Sequence, residues 1–231
     1  MKPTINTRSP NRFMQTVHDA EFKIHHNVTD ESISIYLYGE VGSEYDEADA
    51  MGVSQLISQN RGKPLTLRVN SMGGLAFDGV AIHNAIAQHD AATTGIIEGV
   101  SASAASTALV GCDTVKCHAN AVFHIHEALA LAYGHAWEIR NVLDWLDALD
   151  EQTMQTMADH SGQDLATVAK QYHGPGGDGT VFTAQKAMAA GYVHEIIGGK
   201  TKETAASVGD ALRAHGKLKL RKRQLELTRS S

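Results

Sequence analysis

Gly99-Val100-Ser101-Ala102-Ser103-Ala104-Ala105-Ser106 is the stretch on which the reading of this chain turns. An apolar run ends in a glycine, and serines then appear among alanines where a helix begins. A serine at a helix start lies beside unpaired backbone N–H groups and the positive end of the helix dipole. A nucleophile whose intermediate carries negative charge needs those surroundings. The pattern points to a serine hydrolase.

Working outward, Thr93–Glu98 reads as the strand that feeds this helix. Leu65–Asn70 is an earlier strand, closed by a turn at Ser71-Met72-Gly73-Gly74, and Ile33, Ile35 and Leu37 alternate with Ser34 and Tyr36 as a half-buried strand does. Between them fall helical patterns at Glu44–Asn60 and Phe77–His89. Downstream, Val115–His118 and Val122–Ile125 are two further short strands. Strands alternating with helices through short connections predict a mostly parallel α/β sheet.

The longest helical pattern is Gly134–His160, with a stripe of Ile139, Leu143, Leu146 and Leu149, and with Asp144, Asp147, Asp150 and Glu151 on much of the other face. A helix at Leu165–Tyr172 runs into the loop His173-Gly174-Pro175-Gly176-Gly177-Asp178-Gly179. Thr183 is a good N-cap for Ala184–Ala190, Gly191 a good stop, and Val193–Ile197 closes the domain. The organisation is an N-terminal arm over residues 1–30, one domain over 31–199, and a tail over 200–231. Lys217–Arg223 places five basic residues in seven positions of that tail, a pattern that reads first as a solvated helix.

Bulk properties narrow the function classes. The 231 residues are 42% hydrophobic, enough for one sizeable core, and the net charge of −6 calls for neither nucleic acid nor a membrane surface. The two cysteines, Cys112 and Cys117, make neither a disulfide framework nor a zinc site, which fits a reduced cytoplasmic setting. Met1–Asp19 has no apolar core of the kind a secretory signal carries. Gly95–Cys112 contains Glu98 and four serines and threonines, so it reads as buried strand, turn and helix rather than a membrane span.

A serine nucleophile needs a base, and histidine titrates in the right range. His124 and His126 end the strand Ala121-Val122-Phe123-His124-Ile125-His126, and alternation sends both to one face, so periodicity does not choose between them. Gly73 and Gly74 end a strand where backbone N–H groups can point outward, which suits an oxyanion hole completed by the N–H of Ala104. Asp178 is the candidate acid to orient the histidine, with Asp164 and Asp159 as rivals. No Gly-x-Ser-x-Gly elbow and no Gly-x-x-x-x-Gly-Lys phosphate loop occurs, and nothing completes a metal site around His124 and His126.

Four motifs in order resemble the ClpP family of serine peptidases, in its phage-encoded head-maturation branch. They are Val69-Asn70-Ser71-Met72-Gly73-Gly74 with Asp78-Gly79; the Gly99–Ser106 stretch; Ala121–His126; and Thr183-Ala184 through Ala187 to Gly191. The similarity spans about residues 32–198. It implies a crotonase-like α/β fold of stacked ββα units with a long handle helix between subunits, and homo-oligomeric rings enclosing their active sites. It selects Ser103 over Ser101 and Ser106, and His126 over His124. Met72 replaces the family's proline, Glu127-Ala128 replaces the usual residues after the histidine, and an insertion at Gly174–Gly177 leaves Asp178 about one residue out of register.

The mechanism so implied has Ser103 attacking a peptide carbonyl, His126 accepting its proton, Asp178 holding the tautomer, and the N–H groups of Gly73, Gly74 and Ala104 receiving the oxyanion, with no metal or organic cofactor. The resemblance implies capsid, scaffold or portal polypeptides as substrates in a host cytoplasm or procapsid; docking to an unfoldase ATPase is not evident in the sequence. The rivals are a crotonase-type acyl-CoA enzyme and a non-catalytic assembly protein on the same fold. A serine–lysine peptidase is a nearer relative, but Lys116 is the only lysine between Ser103 and Lys170 and matches no motif.

Overall fold

The computed structural model describes residues 25–42 and 50–199. Most of the arm, the first turns of the Glu44–Asn60 helix and the basic segment Lys217–Arg223 lie outside these residues. Chain order runs β1 (His25–Val28), β2 (Ile33–Val41), α1 (Ala50–Gln59), β3 (Leu65–Gly74), α2 (Ala76–Ala87), β4 (Thr93–Ala102), α3 (Ala104–Leu109), β5 (Thr114–His118) and β6 (Val122–Ile125). It continues with α4 (Ala136–Ser161), α5 (Leu165–His173), β7 (Thr180–Thr183), α6 (Ala184–Ala189) and β8 (Glu195–Ile197).

The sheet order is β1-β2-β3-β4-β5-β8, with β6 beside β4 and β7 beside β6. Pairing is parallel except at β1–β2 and β6–β7. Alternate residues of the central strands, such as Ile33, Ile35 and Leu37 or Leu65, Leu67 and Val69, are fully buried beneath Val53, Ile82, Ile86 and Leu109 of the helices. The opposite face is partly wet and polar. There Arg68 Nη1 lies 2.5 Å from Glu98 Oε1, and the Tyr38 hydroxyl donates to the same carboxylate.

The division of β4 positions the site. Its first half pairs with β5 at Thr94–Ile97, and its second half leaves β5 and pairs with β6, where Ala102 is in register with His124. The N–H of Ser103 then donates to the carbonyl of His124 (3.1 Å), extending that ladder by one bond. On the other side Ser71 of β3 is in register with Ser101. Three parallel strands therefore end together, and the residues following their carboxyl ends meet, as open α/β sheets place their ligands.

Some expectations are corrected here. Ser71–Gly74 is not a turn beyond the strand: β3 runs through it, pairing Gly73 with Glu40 and Gly74 with Val41. The glycine-rich loop is followed by a strand, β7, that the sequence pattern does not announce. On α4, in keeping with a helix that projects or lies at the surface, Ile139 and Leu143 are 38% and 52% exposed, and burial sets in at Leu149, Thr153 and Met157.

Candidate active site

Ser103 is the N-cap of α3 and holds φ 54° and ψ −128°. Among the described residues it is the only non-glycine with positive φ. A side-chain-bearing residue in that region costs about 1–3 kcal/mol, and such strain collects where a side chain must be held at a sharp strand-to-helix turn. The consequence is exposure: from Ser101 to Val110, Ser103 alone is not buried.

The neighbouring serines are structural. Ser101 and Ser106 are completely buried, and Ser106 Oγ lies 2.8 Å from the Ser101 carbonyl and 2.9 Å from that of His124. They tie the end of β4 to α3 and β6, and so support the turn that presents Ser103.

Ser103 and His126 line one cleft, together with Ala104, Asp150, Thr153 and Tyr172. The two histidines stand on one face of β6, ring centroids 5.2 Å apart, as alternation requires. They part in their surroundings: His124 Nε2 donates to the Asp178 carbonyl (3.1 Å) and stays out of the cleft lining. Burial lowers the His124 pKa below its ordinary value, against the pull of that carbonyl, and the neighbouring His126 acts in the same direction as burial. His126 Nδ1–H donates to the Glu127 carbonyl at 2.6 Å. That bond selects the tautomer whose Nε2 is a free acceptor, as a base needs.

The three sequence-nominated acids fare differently from the serine and histidine. Asp178 is exposed, engages His124 through its backbone, and its carboxylate makes no hydrogen bond among the described residues. The pairing of β6 with β7 brings its loop alongside His124 and His126, with Thr180 in register with Ile125, but the carboxylate does not reach His126. Asp164 caps α5, accepting from Thr167 N and Oγ1, and Asp159 accepts from Gln155 Nε2. Neither lines the cleft.

At the glycine pair nominated for the oxyanion hole, Gly73 lies against Ser103: a Cβ on Gly73 would stand 2.6 Å from Ser103 Cβ and 3.1 Å from Ala104 N. Only a glycine admits that approach, and its φ of +100° reinforces the requirement. The N–H of Gly73 donates to Ser71 Oγ (3.1 Å). Ala104 N–H, at the start of α3, has no intrahelical acceptor.

Sequence reasoning missed one residue. The pattern puts Asp150 on the acidic face of the long helix, yet it is half-buried, lines the cleft, and accepts the N–H of Ala128 at 2.7 Å. Its place directly after buried Leu149 and three residues before buried Thr153 was the available signal.

The mixed sheet with helices and this strand-end cleft have the ClpP-like fold: a ClpP1 mutant from Listeria monocytogenes superposes with a TM-score of 0.59 at 23% identity, over 72% of this chain and 92% of that one. In sequence, the Clp protease family matches residues 18–200. The chain therefore belongs to the Clp protease family, a family of peptidases. It is also similar to an ATP-dependent Clp protease proteolytic subunit from Ligilactobacillus salivarius (strain UCC118), 29% identical over 170 residues, covering 73% of this chain and 84% of that protein.

Proposed function

We propose that this protein is a serine endopeptidase whose nucleophile is Ser103 and whose general base is His126. The observation that carries the reading is the backbone of Ser103, the one non-glycine at positive φ among the described residues, opening onto a cleft shared with His126. His126 Nε2 takes the hydroxyl proton as Ser103 Oγ attacks a peptide carbonyl, and gives it to the leaving amine; water then hydrolyses the acyl-enzyme. The oxyanion is received by Ala104 N–H with an N–H of the Gly73-Gly74 pair, a role for which Gly73 would release Ser71 Oγ.

The orienting role normally held by an acid falls to the Glu127 carbonyl in this geometry, so the pair works as a dyad. Asp178 becomes the third member only if the Gly174–Gly179 loop turns its carboxylate toward His126. Substrates are polypeptides, and the working form is a homo-oligomeric ring. The head-maturation role, with capsid, scaffold or portal proteins as substrates, rests on the motif resemblance alone.

The test is labelling with a fluorophosphonate serine probe in wild type, Ser103→Ala and His126→Ala, with oligomeric state read by native mass spectrometry. Labelling that needs both residues is expected. A well-folded oligomer that takes no label, or a Ser103→Ala variant that still cleaves the same substrate, overturns the proposal.

A further inference from the structure

Among the described residues, Asp150 is the only carboxylate lining the cleft that holds Ser103 and His126. It reaches there from α4, while the other walls are contributed by apolar or hydroxyl-bearing side chains such as Leu149, Ile125, Thr153 and Tyr172. One of its oxygens accepts Ala128 N–H, and no lysine or arginine pairs with it among the described residues. A half-buried carboxylate without a counter-cation has an unfavourable desolvation that an incoming cation relieves. The nearby charges sharpen the demand. Glu127 and Asp147 both act on Asp150 as like charges, and the opposing influences are the Ala128 N–H and, more weakly, His126. Among the described residues the Glu127 carboxylate has only a long ion-pair contact to His173, 3.6 Å between Oε1 and Nδ1.

We infer that this cleft receives the side chain preceding the scissile bond, and that Asp150 selects lysine or arginine there. The inference rests on the serine-peptidase reading and adds its substrate class: polypeptides cleaved after basic residues. A long aliphatic stem suits the apolar walls, and its cationic head meets the free oxygen of Asp150. Burial as the main cause raises the Asp150 pKa, and a bound cation would reverse that effect by favouring the charged form.

The experiment compares two peptidyl diphenyl phosphonates, with lysine or leucine at the position before the phosphorus, on the full chain in its native oligomeric state. Attack by Ser103 Oγ forms the P–O bond and expels phenoxide, so the rate of label gain reports how each side chain is seated. The lysine probe is expected to react roughly tenfold or more faster than the leucine probe. In Asp150→Asn the amide oxygen still accepts Ala128 N–H but the charge is gone, so that ratio should fall roughly tenfold or more. A leucine probe that reacts as fast as lysine in wild type overturns the inference, and so does a lysine preference that survives in Asp150→Asn, which would leave Asp150 as a positioning residue for the Ala128 segment. Failure of both probes while a fluorophosphonate labels Ser103 overturns this inference alone. Failure of all three overturns the serine-peptidase reading and this inference with it.

Discussion

Gly179 lies directly on His126: a Cβ built on Gly179 would stand 2.4 Å from His126 Cβ and 2.1 Å from the Ile125 carbonyl oxygen. The glycine also sits at φ +80°, so neither the space nor the backbone accepts a side chain. Position 179 is thus closed to any side chain in this fold. Asp178, one residue earlier, is the nearest carboxylate the loop can offer.

Gly179→Ala should push the end of β6 away from Ser103. Stability is expected to fall by roughly 2 kcal/mol, and fluorophosphonate labelling of Ser103 to drop more than the loss of folded protein accounts for. Thermal unfolding measured beside labelling rate separates the two effects.

Because the Glu127 carbonyl already holds His126 Nδ1, Asp178→Asn should be mild. Activity is expected to fall by less than about tenfold, whereas His126→Ala should lose roughly a thousandfold, the scale of removing a general base. A loss in Asp178→Asn as deep as that of His126→Ala would show that the loop turns inward during catalysis.

Strain at Ser103 predicts opposite responses to two small substitutions. Ser103→Gly relieves the positive φ and is expected to raise stability by about 1 kcal/mol; Ser103→Ala keeps the strain and should unfold near wild type. Neither should take the serine probe. Chemical denaturation of the three proteins checks the order.

Acid should destabilise the fold through buried imidazoles. Burial holds His83, His124 and His160 below their ordinary pKa of 6.5. Below about pH 6.5 the unfolded chain binds protons that these folded imidazoles refuse, so unfolding free energy declines as pH falls and is restored above that value. Denaturation midpoints between pH 5 and 8 at fixed salt, in wild type and His83→Gln, should show the slope and its partial removal.

Both cysteines are buried, and burial pushes the Cys117 thiol up to about 11 and the Cys112 thiol higher still. Neither thiol should react with iodoacetamide at neutral pH in the native protein, and both should react on unfolding. Mass spectrometry of the alkylated chain reads this directly.

Local physics was legible where one segment carried its own signal. The alternation of Ile33, Ile35 and Leu37, the Thr183 cap whose Oγ accepts Lys186 N at 3.4 Å, and the serine turn after β4 all stand where their residues put them. Shared-face placement of His124 and His126 was legible for the same reason, since a period of two is a property of the strand itself. β7 was not, because Thr180–Thr183 is four residues long and its pairing partner, β6, lies 55 or more residues earlier.

From the sequence alone came the strand, turn and helix around Ser103, the pair of histidines from which the proposed base is drawn, and the glycines its backbone neighbours must be. Each is dictated within a few residues by side-chain shape and backbone freedom. Tertiary structure decided which histidine shares the cleft, that Asp178 meets His124 by its carbonyl, that Gly73 N–H is held by Ser71, and that Asp150 turns inward. Those outcomes depend on the register of β4 against β6 and on how α4 packs over the strand ends, relationships between distant segments that only the assembled core enforces.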